Sequence, residues 1–563
     1  MQPLGRLAVI AVTGSLLLAG CSDTDDIKPT PPPPGITSRG IDAASYVEDY
    51  ESPENEDYAS GSMSGIAPAP SSAVRNGGGY SVASDEGVGI PEVPGPLDDD
   101  TFVDAGTSGF VETDDDALST FALDVDTGSW GVARTLLRDG YLPPPASIRV
   151  EEWVNAQPDD LPEPDGTMGV SADSAISPSL TDGTQLVRVG VNTREVTAAD
   201  RRPVNITLVV DRSGSMDIRE RLGLVQSSLA LLADSLRDDD TISVVSFEDQ
   251  AKPILEPTPV SDTDAILAAI DRLEPGGSTN LEAGLRLGYE EARKSFRADA
   301  TNIVLLASDG VANVGRTGPG SLVDEIQSQG ADGIHLVTVG YGMGNYNDHL
   351  MEQLADLGDG FYAYVDDFAE AERLFRDELA TSLVPVAAEA RAQVEFDPSL
   401  VTSYRLVGYD NRDLADEDFD DQSVDAGELG AGHHATALYE VRLADGVEPG
   451  TPIGTATVQW TSVEKSHEER TSTERASVEL VAAQDTQPEG SLALEAAVAD
   501  LAQLLKGAAP YDDRDVTLGQ LADRVDALVA ADVPGAEGVA RMIELAQQGR
   551  SEPVHPGGEG PIR

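Results

Sequence analysis

From residue 203 to residue 383 the apolar residues switch repeatedly between the spacing of a β-strand and that of an α-helix. The predicted strands are 206–210, 241–247, 302–307, 333–339 and 360–365. The predicted helices are 219–236, 262–273, 280–296, 321–329, 347–357 and 368–379. This alternation is typical of a doubly wound, mainly parallel sheet with helices on both faces. We therefore predict an α/β fold for this part of the chain.

Three predicted turns of this segment carry oxygen side chains. The first strand ends in a turn with Asp211, Ser213 and Ser215 at alternate positions. A glycine-rich turn brings Thr279, and Asp309 follows the strand at 302–307. Loops outside the carboxyl ends of strands form the ligand sites of open α/β sheets. Because hard cations prefer oxygen ligands, these five side chains predict a site for Mg²⁺ or Mn²⁺.

A known family shows the same pattern of residues. The run Asp-Arg-Ser-Gly-Ser at 211–215, with Thr279 and Asp309, resembles the metal-ion-dependent adhesion site of the von Willebrand factor type A domain. The resemblance implies a Rossmann-like domain at 203–383. It also implies that Ser213, Ser215 and Thr279 bind the metal directly, or nearly so, and that the two aspartates act partly through water. A partner protein would then complete the metal shell with an acidic residue.

The flanking segments extend this resemblance. Residues 121–127, 142–144 and 149–152 resemble the N-terminal segment that precedes the domain in a group of bacterial lipoproteins. The region after residue 383 is similar to the uncharacterised C-terminal domain of that group. That group usually continues with aromatic residues after position 155, whereas this chain continues with Ala-Gln-Pro-Asp-Asp. The packing at that junction is therefore expected to differ.

The first 20 residues predict a lipoprotein signal peptide. Arg6 precedes an apolar run at 7–18, and Leu-Ala-Gly-Cys at 18–21 resembles the bacterial lipobox, which implies lipidation of Cys21. The alternative, an uncleaved transmembrane helix that contains Cys21, needs about 20 apolar residues, which this run does not reach. We expect an exported protein held in the bacterial cell envelope by lipid. Ser22 favours the outer membrane where the bacterium is Gram-negative.

Composition divides the rest of the chain. Residues 22–117 contain 21 acidic and 3 basic residues among many Pro, Gly and Ser, so 21–117 is predicted to be a disordered acidic tether. The other predicted regions are an N-terminal segment with a β-rich module at 118–202, a β-sandwich-like domain at 384–485, and C-terminal helices with a tail at 486–563.

The charge balance excludes one class of partner. Against 37 Lys and Arg stand 100 Asp and Glu, which gives a net charge of -63. Nucleic acid binding depends on basic patches that release counterions from phosphates. We therefore predict that the chain does not bind nucleic acid.

Enzyme motifs are poorly represented. Asp-Thr-Gly-Ser at 126–129 is the tetrapeptide of aspartic proteases, but these enzymes need two such carboxylates and no second copy is present. Asp126 is therefore interpreted as a helix cap. The chain contains no P-loop, no H-E-x-x-H pair and no G-x-S-x-G elbow. These observations favour a protein that is not an enzyme.

Three alternatives remain open from the sequence. The same cation could serve a metal-dependent hydrolase, although no general base other than the ligands is evident. The chain could be a structural envelope protein with a vestigial site. Finally, Ser213 and Thr279 could merely cap helices while Asp211 shapes a turn.

Overall fold

A computed structural model describes most of the chain beyond residue 105. The described residues are 38–50, 102, 106–123, 125–180, 182–197, 201–310, 326–329, 333–342, 348–378, 385–410, 412, 414–421, 424, 426–463, 473–484, 486–507 and 516–549. The predicted signal peptide and Cys21 lie outside these ranges. Within them, no helix is long and apolar enough to cross a bilayer.

The described residues form sixteen strands, numbered in chain order. They are β1 (Val111–Glu112), β2 (Leu118–Ala122), β3 (Met168–Ile176), β4 (Gln185–Thr193), β5 (Val204–Asp211), β6 (Thr241–Phe247), β7 (Ala251–Pro259), β8 (Thr301–Ser308), β9 (Ile334–Tyr341), β10 (Tyr362–Val365), β11 (Pro385–Phe396), β12 (Val401–Val407), β13 (Gly427–Gly430), β14 (His434–Leu443), β15 (Pro452–Ser462) and β16 (Thr473–Val481).

The principal α-helices follow the same order. They are α1 (Ala44–Glu48), α2 (Gly128–Arg138), α3 (Val150–Asn155), α4 (Leu224–Ser235), α5 (Thr263–Ile270), α6 (Leu281–Ser295), α7 (Asp348–Leu357), α8 (Phe368–Glu372), α9 (Gly490–Lys506), α10 (Leu518–Ala530) and α11 (Ala536–Gln548). Wider π-type turns at Arg219–Gly223 and Arg373–Glu378 adjoin α4 and α8.

The central domain is a doubly wound sheet, as the alternation predicts. Its order is β10-β9-β8-β5-β6-β7, and only β7 runs antiparallel to its neighbour. One face packs under α1, α4, α5 and α8, and the other under α2, α6 and α7. Because both faces are covered, β5 and β8 are buried along their whole lengths.

A second domain combines segments from both sides of the central domain. One sheet has the order β1-β12-β14-β4-β3, and the other has the order β13-β11-β15-β16 with β2 also paired to β11. The two sheets enclose one apolar core. We call this two-sheet unit the composite sandwich. The helices α2, α3, α9, α10 and α11 pack together and cover the outer face of its first sheet.

The composite sandwich corrects the predicted domain division. The β-rich module at 118–202 and the sandwich at 384–485 were expected as separate units. Instead β4 pairs with β14, and β2 pairs with β11, so the two segments share their sheets. Alternating side chains predict that a strand forms, but they do not identify the strand with which it pairs.

The tether prediction is wrong for part of its length. Residues 38–50, which we call the N-terminal strap, contain α1 and lie against the central domain, where Ala43 is buried. Arg39 Nη1 donates to the carbonyls of Leu236 at 2.6 Å and Ala233 at 3.1 Å. Farther along, β1 joins the composite sandwich. Short segments can be ordered by tertiary contacts that composition does not reveal.

Helix α2 joins the two domains. Its Val132 and Leu136 belong to the core of the central domain, while Trp130 and Leu137 belong to the helical layer of the other domain. The interpretation of Asp126 as a cap for this helix is wrong, because Asp126 Oδ1 instead accepts the Tyr362 N–H of β10 at 3.0 Å.

Candidate metal centre

The candidate site lies at the carboxyl edge of the central sheet. Strands β5 and β8 are parallel neighbours, with Val210 opposite Ala307. The residues that follow this pair therefore meet at one edge, where Asp211 and Asp309 are both almost completely buried. The sheet register thus brings together two loops that are about 100 residues apart in sequence.

Asp211 accepts hydrogen bonds from uncharged groups. Its Oδ1 accepts the Ser213 N–H at 2.9 Å, and its Oδ2 accepts the Ser308 hydroxyl at 2.7 Å. The first contact is the local turn that the capping alternative anticipated for Asp211. The second joins the first loop to the end of β8. Neither donor carries a charge that would balance the carboxylate.

The two serines of the first loop face each other. Ser213 Oγ and Ser215 Oγ are 3.0 Å apart, and Ser213 is buried. The Gly214 N–H donates to the Gly277 carbonyl at 3.1 Å, which brings the glycine-rich turn of Thr279 against this loop. Three oxygen-bearing loops therefore meet at the edge of the sheet.

The capping alternative fails for Ser213 and Thr279. The short helical turn after Ser213 has no side-chain cap hydrogen bond. Helix α6 is capped by Asn280, whose side chain accepts the Ala283 N–H at 3.1 Å. The Thr279 hydroxyl has no hydrogen-bond partner among the described residues, although only 6% of the residue is exposed. The Thr279 hydroxyl is thus left available to a ligand, whereas the Ser213 hydroxyl contacts that of Ser215 instead of capping a helix.

An arginine that sequence reasoning missed contacts the third loop. Arg221 Nη1 donates to Asp309 Oδ2 at 2.8 Å and to the Ser215 carbonyl at 2.7 Å. Ser308, the hydroxyl donor to Asp211, was also missed although it directly precedes Asp309. A polar residue at a strand end could have indicated Ser308. No sequence signal distinguishes Arg221 from the exposed arginine two positions earlier.

The charge of Asp211 is poorly balanced. Burial, and then the negative charge of Asp309, raise the pKa of Asp211 above its ordinary value. The adjacent Arg212 does not compensate, because its guanidinium pairs with Glu248 at 2.5 Å. A buried carboxylate in this position favours a bound cation.

The donor set fits a hard divalent cation. It combines two carboxylates with three hydroxyls, and Mg²⁺ prefers oxygen ligands with few carboxylates and retained water. Within the described ranges, no group of three or more His, Cys, Asp or Glu offers another metal site. Coordination by Asp211, Ser213, Ser215, Thr279 and Asp309 stays a prediction.

Comparison with known proteins identifies the family of the central domain. The family model of the von Willebrand factor type A domain matches residues 205–377, which contain all three loops. The chain contains a von Willebrand factor type A domain. Domains of this family are typically involved in protein–protein interaction or adhesion. A model described as von Willebrand factor matches residues 96–188, and the C-terminal model of the uncharacterized protein YfbK matches 381–548.

Two relatives resemble the chain over part of its length. It is homologous to the uncharacterized protein YfbK of Escherichia coli, with 38% identity over 355 residues, 60% of this chain and 62% of YfbK. The uncharacterized protein sll0103 of Synechocystis is 35% identical over 178 residues, 31% of this chain and 41% of that protein. The chain thus spans less than two thirds of either relative.

Solved structures also match the chain. A von Willebrand factor type A protein from Catenulispora acidiphila is 16% identical and aligns with a TM-score of 0.38, covering 69% of this chain and 89% of that one.

Proposed function

We propose that the von Willebrand factor type A domain binds Mg²⁺, or Mn²⁺, and uses it to capture an acidic residue of a partner protein. The observation that carries the proposal is Asp211, a fully buried carboxylate with no ion pair in the described part of the chain. It lies beside the paired hydroxyls of Ser213 and Ser215. A divalent cation would balance this charge.

The same residues explain why a partner would be needed. Ser213, Ser215 and Thr279 would offer neutral oxygens, while Asp211 and Asp309 would act partly through water. A cation with few anionic ligands retains positive charge and attracts another carboxylate. The chain would supply binding and orientation, and the partner would supply the final anionic oxygen. The partner itself is unidentified.

The envelope location is part of the proposal. The resemblance of residues 18–21 to a lipobox supports a lipid anchor at Cys21, and Ser22 favours the outer membrane where the bacterium is Gram-negative. The N-terminal strap begins 17 residues after Cys21. An extended chain of that length reaches at most about 60 Å, so the anchor would hold the domain close to the membrane surface.

Metal titration tests the cation site. We expect Mn²⁺ to bind the whole chain with a 1:1 stoichiometry in calorimetry and to raise its melting temperature. EDTA and Asp211→Ala should abolish both effects. Asp217→Asn is the matched control, because Asp217 lies in the same loop but accepts a hydrogen bond from the Tyr50 hydroxyl of the strap. Metal binding that survives Asp211→Ala would contradict the proposal.

Turnover assays separate capture from catalysis. We expect the Mg²⁺-loaded protein to leave ester, peptide and phosphate substrates intact. Metal-dependent hydrolysis that disappears in Asp309→Asn would support a hydrolase instead. No geometry in the described residues favours that second function, since no general base lies beside the site apart from its own carboxylates.

A further inference from the structure

Arg221 is an internal part of the proposed metal site. Its Nη1 bridges Asp309 Oδ2 and the Ser215 carbonyl, and thereby joins the third loop to the first. The side chains of Arg221 and Asp309 are 9% and 1% exposed. This ion pair is therefore shielded from solvent. The charge of a buried guanidinium acts on nearby groups more strongly than a surface charge would.

The backbone makes room for this arginine. Gly342 follows β9 with a φ of +72°, and a Cβ at that position would lie 2.5 Å from both Cγ and Nε of Arg221. Any other residue would be strained by that φ and would displace the side chain. The path that Arg221 takes into the site thus depends on a glycine that directly follows β9.

The two aspartates differ in how their charges are balanced. Asp309 is paired with Arg221, whereas Asp211 accepts hydrogen bonds from neutral donors. The three side chains together carry a formal charge of −1, so a bound divalent cation would leave the site at +1. Without the arginine, the occupied site would be neutral.

We propose that Arg221 sets the charge of the metal site: it weakens binding of the divalent cation and keeps the occupied site positive toward an acidic partner. This inference rests on the proposed function and names the residue that would determine its selectivity for anions. Like charges repel, so removal of the guanidinium charge from the site should tighten binding of the cation by at least about tenfold.

Calorimetric titration of the whole chain with Mn²⁺ tests this inference. We expect Arg221→Met and Arg221→Gln to bind Mn²⁺ at least about tenfold more tightly than the wild type, while Arg221→Lys stays within about threefold. The glutamine variant retains a donor for the Ser215 carbonyl. It therefore provides the test of affinity if the methionine variant does not fold. Arg219→Met is the matched control, because Arg219 is exposed and pairs with Glu220 at the surface.

The outcomes separate this inference from the proposed function. If the wild type binds Mn²⁺ and the folded Met and Gln variants bind it with the same or weaker affinity, the inference is overturned but the proposed metal site is not. Binding by Arg221→Gln without measurable binding by the wild type would support it, since the arginine then excludes the cation. Absence of Mn²⁺ binding in both proteins would overturn the metal site together with the inference.

Discussion

The von Willebrand factor type A sheet takes its described strands from one stretch, 204–365, whereas the composite sandwich takes strands from both sides of that stretch. In the first domain, the parallel strands β5, β9 and β10 are each followed by a helix that packs back on the sheet. In the second, β2, β3 and β4 precede the central domain, and the strands with which they share sheets follow it. Contiguity in sequence therefore distinguishes a domain whose sheet comes from one stretch of chain from a domain whose sheets are closed by segments on both sides of it.

The largest expected effect comes from separating the two domains. We expect residues 201–378 to retain cooperative thermal unfolding, because all strands of the central sheet are present. Residues 385–549 alone should lack it, because β11 and β14 lose the strands β2 and β4. Circular dichroism melts test both fragments. Cooperative unfolding of 385–549 without residues 106–197 would contradict the view that the composite sandwich needs strands from both sides of the central domain.

The second-largest effect is expected in the helical layer, where α2 and α3 pack with helices that follow the central domain. Trp153 of α3 is fully buried, stacks edge-on against Trp130 at 5.3 Å, and donates from Nε1 to the Ser129 hydroxyl at 3.1 Å. Trp153→Ala should cost about 3–5 kcal/mol of unfolding free energy through the cavity it leaves. Trp153→Phe, which keeps a ring but loses the donor, should cost less. Urea denaturation provides the measurement, and equal losses would contradict the cavity argument.

Acid should weaken the contact between the domains. His433 of the composite sandwich meets Phe361 of the central domain edge-on at 5.5 Å. Burial, and then the charge of His434, lower the pKa of His433 to about 4. The neutral ring therefore contributes stability that is fully present above the unfolded pKa of about 6.5 and is lost as pH falls toward 4.

Titration of stability measures this effect. At pH 5 the loss relative to pH 8 should be about 2 kcal/mol. His433→Gln keeps an acceptor for the Gly430 N–H, which His433 Nδ1 accepts at 3.2 Å, but cannot titrate. Urea denaturation at both pH values should show a smaller difference for this variant. The same pH dependence in wild type and variant would assign the effect to other groups.

The smallest effect tests the strap. Arg39→Ala removes the donor to the carbonyls of Leu236 and Ala233 and should cost about 1–2 kcal/mol. The side chain of Asp238, which pairs with Arg39, is 82% exposed. Asp238→Ala removes only this surface ion pair and should cost less than about 1 kcal/mol. Chemical denaturation of the whole chain compares the two variants. An Asp238 effect equal to that of Arg39 would mean that the surface ion pair, not the carbonyl contacts, holds the strap.

Periodicity predicted the elements of the central sheet better than their surroundings. The predicted strand 206–210 lies within β5, and 241–247 coincides with β6. Strand β7 was missed because it contains Pro253, Pro257 and Pro259 and is mostly exposed. Proline is confined to sheet edges, where a missing N–H costs little, so its presence masks the strand signal.

The candidate site likewise combines residues that the sequence predicted with one that it did not. Asp211, Ser213 and Ser215 follow one strand, and Asp309 follows its parallel neighbour, so the order of elements alone predicts that these loops share an edge. Arg221 lies in a π-type turn, where helical spacing does not predict the direction of a side chain. Its ion pair with Asp309 spans 88 residues and therefore could not be predicted from the sequence.

The sequence alone determined the alternation of strands and helices, the oxygen-bearing loops and the contrast between acidic and globular regions, because these depend on neighbours within one or two turns of chain. The tertiary structure alone decided that β2 pairs with β11, that Arg39 docks 195 residues away on Asp234, and that Arg221 shares the site with Asp309. Such contacts depend on which surfaces meet when the cores close, and no local pattern encodes that choice.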